Sequence, residues 1–100
     1  MSADDPAKDR DETQKRGELV LDIREKVREF IIRQRLYGEA GRLNDSDSFL
    51  EKGIVDSTGI LEVISFLEQA FAVIIPDEEL LPENLDSVDR IVDYMERKLA

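Results

Sequence analysis

Residues 56–71, DSTGILEVISFLEQAF, decide the fold of this chain because they contain its clearest helical pattern. Apolar side chains recur there at three- and four-residue steps, at Ile60, Val63, Ile64, Leu67 and Phe71. This spacing predicts an amphipathic helix from Ser57 to about Phe71, with the apolar stripe facing a core. Asp56 precedes it as the expected N-cap, where a carboxylate suits the positive end of the helix dipole.

Two further segments have the same period. A helix is predicted from Glu18 to about Leu36, with its apolar stripe at Leu19, Ile23, Val27, Phe30 and Ile31. A last helix is predicted after a cap at Asp86 or Ser87, with an apolar face at Val88, Ile91, Val92, Met95 and Leu99. The intervening stretch 77–81 is predicted to form a brief turn before Pro82.

The stretch from Gly38 to Val55 is predicted to be a long loop, because it is rich in Gly, Asp, Asn and Ser. Ser48 and Glu51 have capping-box spacing, which predicts a short helical turn inside it. The loop is expected to be held to the core by four apolar anchors, Leu43, Phe49, Leu50 and Ile54.

Residues 1–16 lack apolar periodicity and are predicted to be a disordered leader to a single domain at 17–100. The predicted fold is therefore all-α, a small four-helix bundle of three main helices and one short one. A long loop separates its first and second helices.

Charge and composition exclude several classes of function. The net charge is −10, and residues 37–100 contain 15 acids against 5 bases. Such a field repels nucleic acid and anionic lipid surfaces and suits partners with Lys and Arg patches. The chain has no Cys for disulfides and no apolar run of membrane-span length, so we predict a monomeric cytoplasmic protein with no membrane partner.

The hydroxyl of Ser57 is the candidate for chemistry. The chain contains neither His nor Cys, so no imidazole or thiolate is available to make this serine part of a nucleophilic triad. A serine in the first turn of a surface helix is better placed to be modified than to attack a substrate. We therefore predict that the chain is not an enzyme and has no catalytic residues.

The order of motifs along the chain resembles that of acyl and peptidyl carrier proteins. The matching segments are Gly53-Ile54-Val55-Asp56-Ser57-Thr58, then Phe71, then Ile75-Pro76-Asp77-Glu78-Glu79, and finally Leu85-Asp86-Ser87-Val88. The resemblance covers about residues 18–99. It implies a 4′-phosphopantetheine arm derived from coenzyme A and attached to Ser57, with Asp56 beside it. The arm would hold an acyl or aminoacyl group as a thioester, in fatty acid, polyketide or nonribosomal peptide biosynthesis.

The resemblance also implies partners. These are a phosphopantetheinyl transferase, an acyl- or aminoacyl-activating ligase, and a downstream synthase or transferase with a basic docking patch. We expect docking through the outer side of the second helix, at Leu61, Glu62, Phe66 and Glu68. The chain departs from the family at Thr58 and Gly59, where a leucine and then an acid are common. The missing acid removes one expected contact to the transferase.

Two alternatives compete with this prediction. Asp45, Asp47 and Glu51 cluster in the loop, but they lack the EF-hand order with its central glycine, so no dedicated metal site is predicted. The second alternative for function is an acidic helical interaction module that has the same fold but no prosthetic arm.

Overall fold

The computed structural model describes the backbone of residues 6–99 and the side chains of residues 17–99. In that range the chain forms four α-helices: α1 (Pro6–Arg35), α2 (Gly59–Phe71), α3 (Pro82–Leu85) and α4 (Val88–Leu99). Two 3₁₀ turns, Ala40–Arg42 and Asp77–Glu79, lie in the connections. No strand occurs among these residues, which confirms the predicted small helical bundle of three main helices and one short one.

The core lies between α1, α2 and α4, and the predicted stripes supply it. The fully covered members are Ile23, Val27 and Ile31 on α1, Val63 and Leu67 on α2, and Val88, Ile91, Val92 and Met95 on α4. The remaining stripe residues, including Leu19, Ile60 and Leu99, pack against them while partly buried. The helical period in the sequence therefore identified the inner face of each helix.

Helix α1 begins earlier than predicted. It is continuous from Pro6, so it starts within the segment 1–16 that the sequence predicted to be a disordered leader, and not at Glu18. Residues 6–16 are mostly Ala, Lys, Arg, Glu, Gln and Asp, and most of these are good helix formers that need no apolar face to continue a helix. Residues 1–5 lie outside the described range. The division into leader and domain at residue 17 stays a prediction.

Helices α1 and α2 pack antiparallel, and aromatic rings fill the space between them. Phe30 stacks on Phe66 with ring centroids 4.3 Å apart, and Phe66 meets the edge of Phe71 at 6.5 Å. Lys26 lies over the Phe71 ring, 5.7 Å from its centroid. Such aromatic pairs stabilise a contact beyond the area they bury. Together they fix how the middle of α1 meets the second half of α2.

The loop between α1 and α2 is held down by charge as well as by apolar anchors. Asp45 accepts hydrogen bonds from Arg24 at 2.7 Å and from Arg28, while Arg24 also reaches Asp89 of α4 at 2.7 Å. The Asp89 hydrogen bond raises the pKa of Arg24. Asp45, one of the three acids considered as a metal cluster, therefore links the loop to α1.

Three of the four predicted loop anchors face the protein interior. Leu43 and Phe49 are buried, and Ile54 is partly buried. Leu50 differs, because half of its surface is exposed. The predicted helical turn is present as a hydrogen-bonded turn, in which Ser48 Oγ accepts the Glu51 N–H at 3.2 Å.

Candidate functional site

Ser57 lies exposed on the surface, two residues before the first residue of α2. The helix starts at Gly59, slightly later than predicted, but Asp56 caps it as predicted. Its Oδ1 accepts the Gly59 N–H at 2.6 Å, and its backbone carbonyl accepts the Ile60 N–H at 3.0 Å. These two bonds pair backbone donors that would otherwise lack partners at the helix start. They hold the segment that presents the Ser57 hydroxyl to solvent.

An apolar cavity of about 240 Å³ lies beside Ser57. Eight apolar side chains line it, and the only polar lining residues are Ser57 and Asp86; the apolar ones are Leu50, Ile60, Leu61, Ile64, Leu80, Leu81, Pro82 and Leu85. The cavity lies between the loop, the first turns of α2 and the segment leading into α3. Leu50, the anchor predicted to be buried, is exposed because it stands at the edge of this cavity.

Asp86 fastens one wall of the cavity. One of its carboxylate oxygens accepts the Ser48 hydroxyl and the other accepts the Leu50 N–H at 3.1 Å. Its backbone carbonyl accepts the Phe49 N–H at 2.8 Å. The cap of α4 is therefore its neighbour Ser87, whose Oγ accepts the Arg90 N–H at 3.1 Å. Of the two caps predicted for α4, Ser87 does the capping and Asp86 holds the loop.

The opposite wall is fastened to α4. Glu79 lies just before the lining residues Leu80 and Leu81, and it accepts hydrogen bonds from the Tyr94 hydroxyl and from Lys98 Nζ, the latter at 3.1 Å. Both bonds favour the ionised carboxylate, so the pKa of Glu79 is lowered, chiefly by Tyr94. Burial, with the Glu79 bond added, raises the pKa of Tyr94.

The four residues predicted for docking do not form one surface. Leu61 and Glu62 are exposed at the beginning of α2, and Leu61 also lines the cavity. Phe66 turns toward α1, where Phe30 stacks on it. Glu68 is half-buried, and its Oε2 accepts the N–H of Ile75 at 2.9 Å. Leu61 and Glu62 are the more exposed of the four, and the docking role of the set stays a prediction.

Sequence reasoning missed Arg35, which lies over the start of α2. Its Nη2 is 3.1 Å from Glu62 Oε1. A Cβ added to Gly59 would lie 2.5 Å from that same nitrogen, so the guanidinium occupies the space where a side chain at position 59 would begin. The available signal was Gly59 itself, because a glycine inside a helix is unfavourable and often marks a close approach.

Among residues 6–99, no helix combines the length and the apolar character needed to cross a membrane.

Comparison with known proteins gives a consistent result. Residues 25–95 match the family model described as a phosphopantetheine attachment site. The chain is 36% identical over 74 residues to the acyl carrier protein of Rubrobacter xylanophilus, an alignment that covers 74% of this chain and 88% of that one. It is also 36% identical over 75 residues to the acyl carrier protein of Akkermansia muciniphila, covering 75% and 90%. For the acyl carrier protein of Helicobacter hepaticus, identity is 32% over 76 residues, covering 76% and 96%.

Proposed function

Because the chain belongs to the phosphopantetheine-binding carrier family, we propose that Ser57 carries its prosthetic arm and that the arm holds an acyl group as a thioester. Family membership confirms the predicted carrier function and the predicted cofactor, 4′-phosphopantetheine. It also implies exchange with a phosphopantetheinyl transferase and with biosynthetic enzymes. The alternative of an acidic module without an arm is not favoured. That the chain has no catalytic activity of its own is part of the proposal.

The placement of Ser57 supports this assignment. Its side chain is exposed at the start of α2, and it lines the apolar cavity of about 240 Å³. The N-terminal end of a helix favours a negatively charged group such as a phosphodiester. When bound, the group supplies a thiol, which a chain without cysteine cannot supply itself. Exposure, helix position and cavity therefore fit an arm attached at this hydroxyl.

Attachment requires only one bond to this chain. Ser57 Oγ bonds to the phosphorus that bears the pantetheine half of coenzyme A. The bond from that phosphorus to the bridging oxygen of the pyrophosphate breaks, and the nucleotide half leaves with that oxygen. The serine proton passes to a general base, which is either a group of the transferase or a carboxylate, because this chain has no histidine or cysteine to accept it. Asp56 contributes by holding the first turn through Gly59.

The cavity lining favours an apolar acyl cargo over an aminoacyl one. Asp86 is its only carboxylate, and both oxygens of that carboxylate already accept hydrogen bonds, from Ser48 and from the Leu50 N–H. A charged ammonium group inside an apolar cavity costs free energy unless it is paired. An alkyl chain instead gains about 0.8 kcal/mol for each methylene it buries.

Intact-mass measurement tests the attachment site. The wild type, Ser57→Ala and Ser46→Ala are each incubated with a transferase and coenzyme A. Ser46 is the matched control because it is also an exposed serine that directly follows an aspartate, but it lies in the loop and not at the start of a helix. Wild type and Ser46→Ala should gain one phosphopantetheinyl group, and Ser57→Ala should gain none. Equal mass gain in all three proteins would contradict the assignment, as would no gain in the wild type with several transferases.

The cargo is tested on the modified protein. It is loaded with a straight-chain acyl group or, separately, with an alanyl group, and backbone NMR shifts are compared. The acyl chain should shift the amides of Ile60, Ile64 and Leu85, which line the cavity. Equal shifts from both cargoes, or none from the acyl chain, would contradict an apolar acyl cargo.

We further propose that partners with a basic docking patch meet the beginning of α2 at Leu61 and Glu62. Both side chains are exposed there, and Ser57 delivers the arm from the same end of the helix. Glu62→Lys should slow modification mainly through the association rate, and the effect should shrink as salt rises. A wild-type rate for Glu62→Lys in low salt would place docking elsewhere. The monomeric state and the cytoplasmic location stay predictions.

A further inference from the structure

The start of α2 is not uniformly acidic, although residues 37–100 contain three times as many acids as bases. The guanidinium of Arg35, from the end of α1, fills the space that a side chain at position 59 would occupy, with Nη2 at 2.5 Å and Cζ at 2.9 Å from an added Cβ. Gly59 is two residues from Ser57. A positive charge from another helix therefore lies against the first residue of α2, two residues along the chain from the proposed attachment site.

The same guanidinium is paired with Glu62. The distance from Arg35 Nη2 to Glu62 Oε1 is 3.1 Å, and the side chains are 24% and 57% exposed. The arginine is therefore mostly covered, while more than half of the glutamate surface is open to a partner. An ion pair of this kind lowers the negative potential that Glu62 presents to an approaching basic surface. The helix dipole adds positive potential at the same end.

We propose that Arg35 is a specificity-determining residue of this carrier. It lies over the first turn of α2 and is paired with Glu62, so it weakens docking of enzymes that rely on a purely basic patch. The inference rests on the proposed attachment at Ser57, because it concerns the enzymes that must approach that residue.

Two substitutions remove the guanidinium from this position in different ways. Arg35→Gln removes its charge. Gly59→Ala keeps the net charge, but its Cβ would lie 2.5 Å from Nη2, so the flexible end of Arg35 must move away from the helix start. The same Cβ would lie 3.1 Å from Asp56 Oδ1, so the capping carboxylate must also give way slightly. Arg42→Gln is the matched control, since Arg42 is exposed on the loop and pairs with Glu39 at 3.6 Å. Circular dichroism of each variant establishes that the helices are retained.

The measurement is kcat/KM for modification by a transferase with a basic docking face, at low and at high salt. Arg35→Gln should raise this value about two- to five-fold at low salt, the range expected from an exposed ion pair. Gly59→Ala should change it in the same direction by a smaller factor. Both effects should vanish at high salt, where the Debye length falls to about 3 Å at 1 M. Arg42→Gln should show less than half the effect of Arg35→Gln.

A second readout separates shielding from a structural role. Glu62→Gln should lower kcat/KM more in the Arg35→Gln background than in the wild type, because the arginine no longer shields the carboxylate. Simple additivity would contradict shielding. Dissociation constants of the same transferase for the Ser57→Ala forms of each protein should follow the same order, and these do not depend on modification.

The outcomes distinguish the two proposals. If the wild type and its Ser57→Ala variant gain equal mass, the attachment site is wrong. If modification is normal but Arg35→Gln behaves like Arg42→Gln, or lowers kcat/KM, the role of Arg35 is overturned alone. If Arg35→Gln loses its helices, Gly59→Ala decides: no increase in kcat/KM or in transferase affinity for that variant overturns the inference.

Discussion

Substitution of Glu68 tests a structural role of this residue. The sequence predicts a docking role for Glu68, whereas the contacts of its side chain are typical of a structural role. Its Oε2 accepts the N–H of Ile75, a residue that is only 6% exposed, at 2.9 Å. Its backbone carbonyl accepts the N–H groups of Ala72 and Val73, which close the end of α2. The perturbation is Glu68→Ala, which removes the carboxylate and leaves the Ile75 N–H without that acceptor.

The expected loss follows from that single bond. An unpaired buried donor, or a lost hydrogen bond to a charged group, costs about 1–3 kcal/mol. Glu68 is half-buried, so water reaches part of the site and the lower half of this range applies, about 1–2 kcal/mol. For a domain of this size each 1 kcal/mol shifts Tm by roughly 4–8 °C. Alanine is the better helix former, so helix propensity does not contribute to the loss.

The assay is thermal unfolding by circular dichroism, with two comparison variants. Glu68→Gln retains an amide oxygen that can accept the same N–H, so it should keep most of the stability while removing the charge. Glu62→Gln removes a charge from an exposed residue of the same helix and should change stability by less than about 1 kcal/mol. Equal Tm values for Glu68→Ala and Glu62→Gln would refute the structural role of the Glu68 carboxylate.

Two further predictions concern the N-terminal segment and Glu79. Deletion of residues 1–16 should leave Tm nearly unchanged, because a segment without apolar periodicity is expected to bury little surface. A large fall in a thermal melt would show that it packs on the domain. The bonds from Tyr94 and Lys98 lower the pKa of Glu79 below its ordinary value of 4.5. These bonds therefore stabilise the fold at pH values above 4.5, and their contribution is lost as the pH falls through the lowered pKa. Urea unfolding of the wild type and Glu79→Gln should therefore show a stability difference that shrinks as pH falls below 4.5. A difference that stays constant as the pH is lowered would contradict the linkage.

Much of the bundle follows from helical periodicity alone. On each main helix, three- and four-residue spacing identified residues that the structure buries, such as Ile31, Leu67 and Ile91. Local signals also identified Asp56 as the cap of α2 and Ser57 as the candidate for chemistry, and Ser57 lines the cavity. These features depend on neighbours within one or two turns, so the sequence contains the information they need.

The rest depends on contacts between distant segments. Helical spacing placed Phe66 on the outer side of α2, but α1 packs there and covers it through Phe30. A single periodic stripe cannot reveal that a helix contacts a second neighbour. Asp86 likewise bonds to Ser48 across 38 residues of sequence. From the sequence, an acid next to a helix start is expected to cap the helix. In the fold, donors from the loop bind the Asp86 carboxylate instead.

The residues that hold the bundle together are largely different from those that enclose the cavity. Of the ten lining residues, only Leu85 belongs to the buried core. The walls are instead held by polar bonds, from Asp86 to the loop and from Glu79 to α4. Such bonds contribute far less than the packed core of α1, α2 and α4. The proposed cargo would therefore occupy a cavity whose walls are held by these polar bonds, and its entry or release need not disturb the packed core.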